Sequence, residues 1–487
     1  MSEQELRERA GRVSDRFTKT GAPPTPAVQR AADAGVREMP EPPRALWKVV
    51  GPGIVGAGVG LASGEFILWP YIASQVGLVL LWGALLGVVL QWFINMEIER
   101  YTLATGETAL SGFNRIWRHW GLVFVGMVIL ANAWPGWATS SATMFTYLFG
   151  GPINPIAMGL LLLIGLGLTL APVVYEAVER VIFLKVAAIA TFIAVVAVAA
   201  ISGDAWRELP SSASHVGTFP GELGIAVMLG AIAYAGAGGG QNLCQSNWIR
   251  DKGYGMGAYV PRLVSPITGE EEAAAGGRFS FEPNERNLAR WRRWWRFANV
   301  EQAATFVAIT VLTIAFMSML SYSTVFGQKD LPDDIGFLEA EGNRLNDLVG
   351  SWMGPLFWSI GAFSLFAASM GIVDYTSRLA ADVLKTTYRP GSSESRLYFG
   401  VVWGIVAIGV AILLAGFDQP LVLLVISACV AAVTMFVYSI LLVITNRRYL
   451  PRAIQIRTYR FGALVFCAAF FGVLSAVTIV DQVGQLV

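Results

Sequence analysis

Glu65 is a lone carboxylate in an apolar run, GPGIVGAGVGLASGEFILWP (Gly51 to Pro70), and it directly follows small residues: Gly56, Gly58, Gly60, Ala62, Ser63 and Gly64. An acid in lipid is costly and marks an ion or substrate path. Small residues in front of it read as a helix that breaks inside the membrane, freeing backbone carbonyls to act as ligands. A second stretch, GAIAYAGAGGGQNLCQSNWIRDKG (Gly230 to Gly253), repeats the theme. There Gly236, Gly238, Gly239 and Gly240 each weaken a helix by about 1 kcal/mol relative to alanine, and the amides of Gln241 and Asn242 follow. The chemistry on offer is cation binding by a carboxylate, amide oxygens and carbonyls. The expected ligands are Ala62, Glu65, Ala237, Gln241 and Asn242, with Gly60, Ser63, Gly64, Gly238, Gly239 and Gly240 forming the breaks.

Each of these residues also has a plainer reading. Glycines let membrane helices pack closely, Ser63 with Glu65 fits a helix cap, and Gln241 and Asn242 fit partners for freed backbone groups. Asp374 and Arg378, at i,i+4 spacing, read equally as a salt bridge or, with Glu65, as a proton relay. Cys244, Cys429 and Cys467 lack metal spacing and read as packing residues. His119 and His215 lie at an inner span end and in an outer loop. No nucleophile with a base, zinc spacing or phosphate loop is present, so an enzyme is not expected.

These residues need a frame, and composition supplies it. Of 487 residues 55% are hydrophobic and 14% charged, with a net charge of +1. That is an all-α polytopic membrane protein, with about eleven spans by the 20-residue criterion. Residues 1–44 form a polar tail, read as mobile and cytosolic. Residues 45–202 hold five spans, 203–220 an outer loop, 221–445 five more spans and 446–487 the eleventh. The second set includes an inner loop at 251–299 and an outer loop at 323–351. Basic residues, among them Arg115, Arg180, Lys185, Lys252, Arg389 and Arg447, gather in alternate loops. The positive-inside rule then puts the N-terminus inside, the C-terminus outside and the chain in a prokaryotic cytoplasmic membrane. RWRRWWRF (Arg290 to Phe297) reads as an interfacial helix on anionic lipid rather than a nucleic-acid patch.

An interrupted span opens each set of five. Five is odd, so the sets enter the membrane from opposite sides, as in an inverted-repeat transporter. The run GPGIVGAGVGLASGEFILWP...GLVLLWGALLG...YTLATGETAL resembles the opening of the Nramp divalent-metal transporters. The resemblance implies a LeuT-like fold with broken first and sixth helices. This chain departs from the family where its chemistry lies: Ala62-Ser63-Gly64-Glu65 stands for Asp-Pro-Gly-Asn, and Gly239-Gly240-Gln241 for Met-Pro-His.

Without sulfur or imidazole, the site is hard and oxygen-only, suited to Mg²⁺, Mn²⁺ or Ca²⁺ as cargo. The leading expectation is a secondary transporter moving a divalent cation by alternating access, with proton coupling through Glu65 or through Asp374 and Arg378. Beyond the bilayer and the cargo, no cofactor, nucleic acid or other partner is expected. The alternatives are a transporter of a small organic solute such as an amino acid or amine, and a transport-dead membrane sensor.

Overall fold

The computed structural model describes residues 35–42, 51–61, 63–171, 173–260, 263, 278–328, 331–332, 334–416 and 420–484. The chain is an all-α membrane protein. Among the described residues, nine helices are long and apolar enough to span a bilayer, and one bent pair makes a tenth. That pair is α1 (Pro52–Gly60) and α2 (Trp69–Val76), joined through a π-helical turn at Ser63–Leu68. Pro52 opens α1, where its missing N–H costs nothing, and Glu301 Oε1 accepts from Gly53 N–H at 2.9 Å.

The remaining helices of the first half are α3 (Leu81–Thr105), α4 (Ala109–Asn114), α5 (Trp120–Asn132), α6 (Gly136–Phe149), α7 (Ile153–Leu170), α8 (Val174–Ala199) and α9 (Gly203–Ser211). α10 (Ile225–Ala233) and α11 (Gly240–Lys252) form a second interrupted pair, broken over residues 234–239. After it come α12 (Glu285–Gln302), α13 (Ala308–Thr324), α14 (Phe337–Val349), α15 (Met353–Val383), α16 (Glu394–Leu414), α17 (Pro420–Tyr449) and α18 (Thr458–Gly484). Among the described residues the count is thus nine or ten against the eleven or so expected, because α10 and α11 are each too short, and α11 too polar, to count as a span by length and apolarity. α1 is buried along its whole length, against α8, α11 and α15. The breaks therefore lie in the protein interior, the one place where broken backbone is tolerated in a bilayer.

Three sequence readings need correction. Residues 35–42 of the supposedly mobile tail are anchored, while 1–34, 43 and 44 lie outside the described residues. β1 (Gly35–Val36) pairs in parallel with β2 (Phe279–Ser280). Met39 is fully buried, its N–H donates to Asn287 Oδ1 at 3.1 Å, and Trp294 Nε1 donates to the Pro40 carbonyl at 2.9 Å. Glu38 and Glu41 meet Arg290, so charge complementarity holds the strap.

The basic helix is not a separate interfacial element. α12 runs through a π turn at Ala303–Val307 into α13 as one rod, Glu285–Thr324. Its Trp291 and Trp294 are buried, while Arg292, Arg293 and Arg296 are exposed. The fifth span begins at Val174, upstream of the basic residues assigned to a loop. Tyr175, Val178, Ile182 and Lys185 are buried on one face, so the helix extends past the continuously apolar run. Arg180 and Lys185, read as loop residues, are helical, and Lys185 is fully buried.

Candidate functional site

The two breaks meet. A Cβ on Gly60 would lie 1.9 Å from the Gly236 carbonyl oxygen, and one on Gly64 would lie 2.3 Å from the Tyr234 carbonyl oxygen. Both positions thus demand glycine because two backbones touch there. Gly236, Gly238 and Gly239 have φ of +112°, +72° and +55°, the region that side-chain-bearing residues avoid, and this turns the chain out of α10 and into α11. Glu65 is fully buried, and its Oε1 accepts from Gly236 N–H at 3.1 Å. The acid of the first break therefore touches the backbone of the second. Gln241 Nε2 reciprocates by donating to the Gly56 carbonyl of α1.

A residue that sequence reasoning passed over holds the second break open. Gln91 of α3 donates through Nε2 to the carbonyls of Ala233 (3.0 Å) and Ala235 (2.9 Å). Its Oε1 accepts from the N–H groups of Ala237 (2.8 Å) and Gly238 (2.7 Å). One amide thus satisfies four backbone groups that leaving the helix exposes. One turn on, Asn95 Oδ1 accepts from Asn242 Nδ2 at 2.7 Å, while Asn242 Oδ1 accepts from Tyr438 at 3.0 Å. The available signal was two amides at i,i+4 directly after the apolar opening of the span, Leu81 to Leu90.

Between the breaks lies a small cavity of about 20 Å³, bordered by Gly60, Gly236, Ala237 and Gln241, with Trp137, Tyr234 and Tyr375 forming aromatic walls. Of the expected ligands, Ala237 and Gln241 border this cavity, and Glu65 bonds its Gly236 edge. Asn242 is engaged by Asn95 and Tyr438 instead. Ala62 lies outside the described residues. Ser63 opens the π turn, and Gly240 opens α11 against Val128. Among the described residues, no three His, Cys, Asp or Glu side chains cluster as a metal site. Carboxylate, amide and carbonyl oxygens are therefore the donors at hand.

Two charged features complete the surroundings. Lys185 on α8 is fully buried, and Glu65 is the charged group whose field acts on its ammonium. Asp374 and Arg378 are not at the cavity. Arg378 Nε donates to both Asp374 oxygens at 2.8 Å, Arg378 Nη1 pairs with Asp251 of α11, and Tyr398 donates to Asp374 at 2.7 Å. Arg250 continues the network to Asp382 (3.1 Å) and Glu394 (2.8 Å). His119 Nδ1 lies 2.7 Å from the Tyr388 hydroxyl, and all three cysteines are free thiols.

No family model matches the sequence, and no curated protein matches it. Solved structures do match. A manganese transporter of Eremococcus coleocola, as a histidine-to-alanine mutant, superposes with a TM-score of 0.68 at 12% identity, covering 93% of this chain and 91% of that one. A glutamate-to-glutamine mutant of the same transporter gives 0.69 at 13% identity, covering 94% and 91%. Its complex with an aromatic bis-isothiourea compound gives 0.69 at 13%, covering 93% and 90%. At these identities the likeness carries the fold, which is the one the Nramp resemblance implied. The neighbours are transporters, not enzymes.

Proposed function

We propose that this chain is a secondary transporter that moves a divalent metal cation by alternating access, with Glu65 as its anionic ligand. The observation that carries this reading is the bond from Gly236 N–H to Glu65, which joins a buried acid on one broken helix to the break in another. The likeness of fold to a manganese transporter supports it. The Ala237 carbonyl and the Gln241 amide would complete an oxygen set suited to Mg²⁺, Mn²⁺ or Ca²⁺. The reading includes the orientation expected from loop charge and a proton carried on Glu65 or through Asp374 and Arg378. Glu65→Gln should abolish Mn²⁺- and Mg²⁺-dependent uptake in proteoliposomes, whereas uptake at the parent rate removes Glu65 from the mechanism.

A second reading keeps the fold and changes the cargo to a small organic solute. The walls of Trp137, Tyr234 and Tyr375 favour it, since aromatic faces bind organic cations. Thermal shift of the purified protein separates the two, because a ligand that prefers the folded state stabilises it. Stabilisation by Mn²⁺ or Mg²⁺ supports the metal, and stabilisation by amines or amino acids alone supports the solute.

A further inference from the structure

We infer that Lys185 is a tethered cation that competes with the cargo for the Glu65 carboxylate and so sets how tightly the site holds it. The inference rests on the cation-transport reading above and adds a residue to it. α8 packs against α1 and α15, and Ile182 and Val186, on either side of Lys185, close on Gly58. Lys185 is fully buried, and its Nζ has no hydrogen-bond partner among the described residues. Glu65 is fully buried in the break that α1 opens, and its charge acts on the ammonium.

Burying an ammonium without hydrogen bonds is expensive, and an apolar side chain of similar length would fill the same space without that penalty. In lipid such a group is retained for function. Its effect follows from charge. Glu65 alone gives the cavity a net −1, whereas Glu65 with Lys185 sums to zero. A divalent cation entering the paired site meets no net attraction and a like charge on a flexible stem. A carrier benefits from this, because its cargo must bind and then leave.

The test uses the full chain, with Mn²⁺ as probe, by calorimetric binding in detergent and by initial uptake rates in proteoliposomes. Lys185→Met should lower both Kd and KM for Mn²⁺ at least about tenfold, by removing a like charge from a poorly screened site. It should also lower kcat, because release slows. Lys185→Arg, which keeps the charge, should stay near the parent in Kd and KM, a rescue that a purely structural role does not predict. Lys185→Gln serves as a second neutral variant should the methionine chain fail to fold. Neutral variants with Kd within about twofold of the parent, or weaker, overturn the inference while leaving Mn²⁺ transport by the parent intact. If neither the parent nor any variant binds or carries Mn²⁺ or Mg²⁺, the cation-transport reading falls and takes the inference with it.

Discussion

Leaving a helix inside a membrane strands backbone groups, and each buried one left unmet costs roughly 1 to 3 kcal/mol. Gln91 meets four of them. Gln91→Leu should therefore destabilise the protein by at least about 3 kcal/mol, read from denaturant titration in mixed micelles. A loss under about 1 kcal/mol would mean that water or a shifted backbone replaces the amide. Gln91 also shows why this site was only half legible. Glu65 announces itself, since a lone acid in an apolar run is anomalous in its own neighbourhood. The meaning of Gln91 depends on backbone groups that a distant stretch of chain sets free, and no local pattern records them. Asn242 was legible as a polar residue near a break, yet its engagement by Asn95 and Tyr438 is again a matter of tertiary placement. Lys185 was misread because the apolar run begins after Arg180, although the helix does not.

Among the elements, those with a local signature were the most legible. Long apolar runs gave the spans, and glycine clusters gave the two breaks, whereas the helix α14 in the outer loop carries only a short amphipathic pattern. α14 docks by burying Phe337, Leu338 and Leu345, and Trp358 Nε1 donates to its Leu338 carbonyl at 3.0 Å. The same face buries Glu341, while Glu339, Arg344 and Asp347 stay exposed. No charged side chain on α13 faces it, and the first on α15 is the remote Asp374. Burial pushes the Glu341 carboxyl up from about 4.5 to about 8, with the Ser321 hydroxyl pulling weakly the other way. A raised acid binds its proton in the docked state and loses it in the open one. Docking should therefore be strongest below about pH 4.5, weaken as pH rises, and carry its full penalty above about pH 8. Hydrogen exchange across residues 337–349 should accelerate between pH 5 and 9 beyond the intrinsic rate, and Glu341→Gln should remove the excess. An excess that persists in the glutamine variant assigns the effect to another group.

At the scale of the whole molecule, the alternating access proposed above requires that one end open while the other is closed, and a set of ion pairs ties the basic end together. Arg378 joins α15 to α11 through Asp251, Arg250 joins α11 to α15 and α16 through Asp382 and Glu394, and Lys252 joins α11 to α8 through Glu179 at 2.6 Å. All of them converge on α11, the half-helix that leaves the second break, so movement of α11 must disrupt them. Arg378 lies between Asp374 and Asp251, both fully buried or nearly so. Removing the cation leaves Asp374 to the Tyr398 hydroxyl and Asp251 to the longer Arg250 contact at 3.4 Å, and Arg378→Met should cost about 3 to 5 kcal/mol. The double variant Arg378→Met, Asp374→Asn should regain part of that, since one buried charge without a counter-ion is then gone. The chain carries its own reporter of the opening: Cys244, buried on α11 within the field of Arg378, Asp374 and Asp251. With Cys429 and Cys467 changed to serine, maleimide should modify Cys244 slowly in the parent network and markedly faster in Arg378→Met. Equal rates in both would mean that α11 is held by its other contacts with α3 and α15, and that the ion pairs decorate a seal they do not make.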